Sequence, residues 1–166
     1  IFEVEREESI EKQFIWQEPE SSNNDYRYVL LSKEYNVDAR TLSENSLDIL
    51  HISEVHTFGN KDRPLPYDEE KIVYGDGHYG IKYKYKSGPN SLAKVAFGIE
   101  DLVVENEFIL PHYTIARVKF GDYVNTIVTS AMPINENKSK LFVKCYRNNW
   151  ISYFPPLDGY FDKINE

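Results

Sequence analysis

His78-Tyr79-Gly80-Ile81-Lys82-Tyr83-Lys84-Tyr85-Lys86 alternates aromatic or aliphatic residues with polar ones at a period of two, and Ser87-Gly88-Pro89-Asn90 stops the run with turn residues. Successive side chains of a strand leave opposite faces of the backbone, so this pattern predicts a strand closed by a turn. Downstream, similar runs predict strands over 93–99, 107–110, 114–120, 123–132 and 140–147. Gly121-Asp122 and Asn135-Glu136-Asn137 supply hairpin turns between the last three, which favours antiparallel pairing. Upstream the pattern changes. A strand over 26–32 precedes a helix over 38–51, with Asp38 as its cap and Leu42, Leu47, Ile49 and Leu50 as apolar positions. Segment 13–16 is strand-like, 18–24 has linker composition, and 60–70, with Pro64 and Pro66, reads as a loop. A second helix is expected to start near Pro155 or Pro156 and to run through Ile164. A helix followed by a long series of strands defines an α+β domain.

The chain's 166 residues suit one domain, and an apolar fraction of 41% is enough for one core. Thirteen tyrosines and nine phenylalanines favour sheet. A net charge of −8 argues against nucleic acid and anionic membranes as partners. No apolar run reaches the roughly 18 residues of a membrane span, and the expected location is soluble and cytoplasmic. The single cysteine, Cys145, lies in the apolar run Leu141-Phe142-Val143-Lys144-Cys145-Tyr146 and reads as a small buried hydrophobe. One cysteine cannot hold an iron–sulfur cluster within this chain.

Chemistry concentrates in Glu44-Asn45-Ser46-Leu47-Asp48-Ile49-Leu50-His51 and the following Val55-His56-Thr57-Phe58-Gly59. Positions three apart share a helix face, so Asn45, Asp48 and His51 form one polar stripe. Five residues at about 100° each carry His56 far round the axis from His51. A shared metal ion therefore requires the helix to end or unwind between Ile52 and Val55. Two imidazoles plus a carboxylate, with positions left open, suit non-haem iron(II) and O₂ chemistry. Zinc accepts the same donors.

The segment Glu44-Asn45-x-x-Asp48-x-x-His51-x4-His56-x-Phe58-Gly59 resembles the iron-binding segment of Rieske non-haem iron oxygenases, the ring-hydroxylating dioxygenases and related monooxygenases. More loosely, Ser130-Ala131-Met132-Pro133-Ile134-Asn135-Glu136 and Tyr146-Arg147-Asn148-Asn149 look like late strands of the same catalytic domain. The resemblance implies an antiparallel sheet wrapped on a C-terminal helix, the helix-grip (Bet v 1-like) arrangement, with a metal-ligand helix near the N-terminus. It makes His51 and His56 the iron(II) ligands. Asp48 becomes the carboxylate linking the iron to an iron–sulfur domain of a neighbouring subunit, and Asn45 a residue lining the site. The third ligand of the family is an aspartate on the C-terminal helix, expected beyond Glu166, with Asp158 and Asp162 as the substitutes within reach. Residues 1–16 then read as the tail of an absent Rieske [2Fe–2S] domain, and 17–166 as the iron domain, cut short in its last helix.

What the resemblance implies is a mono- or dioxygenase that hydroxylates or demethylates an aromatic or polycyclic compound with O₂. Its electrons come from a ferredoxin or reductase, and its assembly is a homotrimer. Two other readings follow from the same sequence. One is a non-catalytic helix-grip ligand-binding domain. The other is a zinc-dependent hydrolase with Glu54 as general base, although the register is not that of His-Glu-x-x-His zincins. His78 is expected to be exposed in a turn and His112 to pack at a strand start, while Arg117, Lys119 and Arg147 are expected to face outward.

Overall fold

The computed structural model describes residues 17–52, 59–75 and 77–148. A short 3-10 helix, Pro19–Ser22, precedes β1 (Arg27–Tyr35) and α1 (Ala39–Leu47). Then come β2 (Tyr67–Gly75), β3 (His78–Lys86), α2 (Leu92–Phe97), β4 (Asp101–Ile109), β5 (Tyr113–Phe120), β6 (Tyr123–Asn135) and β7 (Lys138–Arg147). The strands form one sheet in the order β1-β7-β6-β5-β4-β3-β2, antiparallel throughout. The α+β class and the sheet-dominated, helix-grip-like architecture stand. The expected C-terminal helix, the strand-like 13–16 and the possible upstream tail lie outside the described residues.

Alternation assigns each face of the sheet its own cover. On one face Tyr83, Tyr85 and Val104 pack with Ile52, and Ile49, Ile81 and Val118 close around them. Leu102 and Phe120 continue that layer with Ala93 of α2, and α1 lies across β4–β7 on the same side. Burying aliphatic and aromatic side chains of this size contributes about 1.5–3 kcal/mol each. On the opposite face Ile109, Ile115, Val128 and Tyr146 form a second cluster, covered by Tyr26. Both faces are therefore partly covered.

Three sequence expectations are corrected. Run 93–99 is not a strand: Leu92–Phe97 is helical, capped by the Ser91 hydroxyl, which accepts from the Lys94 N–H at 3.3 Å, and closed by Gly98 at φ +66°. Six residues are too few to show a helical period, and the capping pair decides. The loop expected over 60–70 runs into β2 from Tyr67, an edge strand whose Asp68, Glu69 and Glu70 are all exposed. Segment 18–24 is not a linker, because Glu20 inside it is 6% exposed.

Candidate functional site

α1 begins where Asp38 accepts the Thr41 N–H at 2.9 Å and its hydroxyl at 2.7 Å, as the capping residue predicted. It ends four residues before His51. Asp48 already has an extended backbone, with φ −68° and ψ 107°, and its carboxylate takes the Leu50 N–H at 2.9 Å. A short acidic side chain that offers the backbone an alternative acceptor stops a helix in this way. Asn45, Asp48 and His51 are thus not one continuous helical stripe, and the unwinding expected after Ile52 occurs at Asp48.

The break places His51. Its Nδ1 lies 2.5 Å from the Asp48 carbonyl oxygen. A carbonyl can only accept, so Nδ1 carries the proton, and in the neutral ring Nε2 then holds the lone pair. This is the tautomer a metal-ligating histidine uses, with its other nitrogen fixed by a backbone oxygen. The Asp48 carbonyl, rather than its carboxylate, orients the ring. Beside it, the Tyr85 hydroxyl donates to the Ile49 carbonyl and ties the segment to β3. Burial, and then the Asp48 and Glu69 charges, push the Tyr85 phenol up to about 12, so it remains a donor at neutral pH. Asn45 is exposed on α1, one turn earlier, and Asp48 is also exposed.

His56, Glu54, Asp158 and Asp162 lie outside the described residues. Among the described residues no group of three or more His, Cys, Asp or Glu side chains is placed to hold a metal ion. Among the described residues, the donor set expected around iron(II) is represented by His51, its Nδ1 held by a backbone carbonyl.

The opposite face carries a charged network that local pattern did not reveal. Arg117 Nε donates to Glu20 Oε1 at 2.7 Å, and Arg117 Nη1 donates to Glu107 Oε1. Thr126 Oγ1 donates to Glu20 Oε1 at 2.8 Å, and His78 Nε2 lies 2.6 Å from Glu107 Oε2. The side chains of Arg117, Glu20 and Glu107 are 13%, 6% and 5% exposed, so this is an interior network. Burial alone would raise the Glu20 carboxyl, but the Arg117 hydrogen bond and charge outweigh it and hold it below the usual carboxylate range. Tyr74 stacks on His78 at 4.2 Å, and Gly80 leaves the room, since a Cβ there would stand 2.9 Å from Tyr74 Cε2. A shallow groove of about 370 Å³ opens among Tyr74, His78, Glu105, Glu107 and Lys119.

His78 and Arg117 therefore depart from expectation, being inward and paired. Arg147 departs too, at 7% exposed, because the last strand runs between two neighbours. Lys119 bonds Glu105 at 2.7 Å. His112 stacks on Tyr113 at 4.6 Å, and Cys145 is buried, both as read from the sequence. A partner 97 positions away, as Glu20 is from Arg117, leaves no periodic trace in the sequence.

No family model matches this chain, and no curated protein matches it. Solved structures share its fold. Dicamba monooxygenase bound to dicamba superimposes with a TM-score of 0.70 at 19% identity, over 88% of this chain and 46% of that one. Its complex with 3,6 dichlorosalicylic acid gives 0.66 at 20% identity, over 85% and 45%. The NdmA QL mutant of Pseudomonas putida CBB5 with caffeine gives 0.62 at 13% identity, over 82% and 38%. These neighbours are Rieske non-haem iron oxygenases. The chain spans less than half the length of each, and at such identities the likeness is one of fold. Among the described residues no helix is long and apolar enough to cross a membrane.

Proposed function

We propose that this chain is part of a Rieske-type oxygenase and carries its non-haem iron domain, with His51 and His56 as ligands and a third carboxylate from the C-terminal part of the protein. The observation that carries the reading is the His51 ring, held by the Asp48 carbonyl in the ligating tautomer at the broken end of α1. That end lies over the Tyr83–Tyr85 face of a sheet shared with dicamba monooxygenase and NdmA. Iron(II), when bound, would supply the activation of O₂, and the [2Fe–2S] cluster that feeds it belongs to a module outside this chain.

The chain's own residues orient and exclude water. Tyr85 fixes Ile49, and through it the turn that carries His51. Ile49, Ile52 and Val104 pack with Tyr83 and Tyr85 under the segment that carries His51, an apolar layer that suits an aromatic substrate and keeps water out. Asp48 keeps its carboxylate at the surface, where it can meet a cluster-bearing neighbour, while its carbonyl holds His51. A homotrimer would bring such a neighbour within reach, with a ferredoxin or reductase as electron source. The substrate class proposed is an aromatic compound, hydroxylated or demethylated.

The experiment is O₂ uptake and product formation by the full-length protein with its electron donor, comparing Asp48→Asn with the parent. Turnover is expected to fall about ten- to a hundredfold in the variant while iron stays bound. Iron lost from Asp48→Asn as completely as from His51→Ala would refute the relay role. Turnover retained without iron would refute the oxygenase itself.

A further inference from the structure

Tyr83 Oη and Asn106 Oδ1, buried polar atoms on the α1 face of the sheet, have no hydrogen-bond partner among the described residues. Tyr83 is 0% exposed and Asn106 4%. The β3–β4 register sets Tyr83 against Val104 and Ile81 against Asn106, so Tyr83 and Asn106 are diagonal neighbours on one face. Diagonal Cβ atoms stand roughly 7–8 Å apart, a span that two side chains of this length can close around one small polar group. Elsewhere on this face Thr114 and Thr129 bond each other and Tyr85 bonds Ile49, while the buried Ser139 hydroxyl, on β7 and four strands away from β3, is also without a partner among the described residues. Tyr83 also belongs to the cluster containing Ile49 and Ile52, the residues that flank His51. Native interiors rarely leave such groups unpaired, and two of them converging on one face beside the His51 segment call for an explanation.

We infer that Tyr83 and Asn106 are a specificity-determining pair, built to take a neutral hydroxyl carried on an aromatic ring. The ligand's O–H donates to Asn106 Oδ1, and its oxygen accepts from the Tyr83 O–H. An amide oxygen only accepts, so the ligand must bring a donor, which a carboxylate lacks. The apolar surroundings and the nearby Asp48 charge disfavour an anion as well. Burial first, then Tyr85 and Asp48, push the Tyr83 phenol upward, which keeps it a donor. Naming the bound molecule a substrate rests on the oxygenase reading, whereas the pairing itself does not.

Calorimetric titration of the full-length protein with guaiacol, with anisole (the same methoxy-substituted ring without the hydroxyl) and with 2-methoxybenzoate tests the pair. Guaiacol is expected to bind about tenfold or more tightly than anisole, because a site built for a hydroxyl rejects the analogue lacking it. In Tyr83→Phe and in Asn106→Leu that preference should shrink to about twofold or less, with anisole affinity unchanged. A wild-type protein with no preference, including one that binds neither compound, overturns the inference, and so does 2-methoxybenzoate binding more tightly than guaiacol. The wild-type comparison is decisive even where a variant fails to fold. Iron content measured on the same samples separates the two ideas. Iron in place with no preference removes this inference alone, and a preference in a protein that never takes up iron removes the oxygenase reading alone.

Discussion

Replacing Arg117 with leucine would leave two buried carboxylates facing each other without the cation between them. Glu20 and Glu107 expose 6% and 5% of their side chains, and each bonds Arg117 directly. Removing one partner of a buried charge network costs about 3–5 kcal/mol, since the remaining charges are neither solvated nor compensated. His78 and Thr126 still reach Glu107 and Glu20, which places the expectation toward the lower end. In a domain of this size 1 kcal/mol moves the melting temperature by about 2–4 °C, so a fall of about 6–12 °C at pH 7 follows. The pH dependence gives a second, sign-specific readout. In the parent, Glu20 is held below its ordinary value of 4.5, so its stabilisation is complete above that pH and is lost as pH falls through the folded value. In Arg117→Leu the Glu20 carboxyl keeps its burial but loses the cation that lowers it, so its folded value should rise above the unfolded one, and the variant's deficit should shrink as pH drops from 7 toward 4. Calorimetric melts of both proteins between pH 4 and 8 provide the assay. A variant within about 1 kcal/mol of the parent at pH 7, or one whose deficit stays constant over that range, would refute the argument.

Tyr85→Phe removes the tether to the Ile49 carbonyl; it should cost about 1 kcal/mol by calorimetry and lower iron retention on dialysis, because the His51 turn loses its anchor. Gly121→Ala places a side chain at φ +62° in the β5–β6 turn, with Ile99 Cδ1 3.5 Å from the new Cβ, so about 1–2 kcal/mol of backbone strain should appear as a lower denaturant midpoint. Cys145, buried under the sheet cover, should not react with a thiol reagent in the native protein and should react fully in denaturant.

Much of the fold was legible because β3, β5, β6 and β7 alternate and their turns carry glycine or asparagine. The alternation fails where both faces of a strand meet water. In β2, Asp68, Glu69, Glu70 and Lys71 are all exposed, so the strand shows no period. α2 hid for a different reason. Leu92-Ala93-Lys94-Val95-Ala96-Phe97 is short and apolar, like a buried strand, and only Ser91 and Gly98 at its ends mark it as a helix. The histidine segment was found from residue types and spacing, yet the early stop of α1 depends on Asp48 side-chain geometry that helical periodicity cannot register. Glu20 and Arg117 are the reverse case. Each looks like an ordinary surface residue locally, and only the closure of the sheet brings the N-terminal segment over Arg117. Tyr83 and Asn106 likewise acquire meaning only from the β3–β4 register.

The central claim concerns a metal held through His51, and the iron content of full-length protein produced with ample iron tests it most directly. Near-stoichiometric iron is expected in the parent, with nearly all of it lost in His51→Ala and in His56→Ala while both variants remain folded. A folded parent without iron, or histidine variants that keep it, would contradict the assignment.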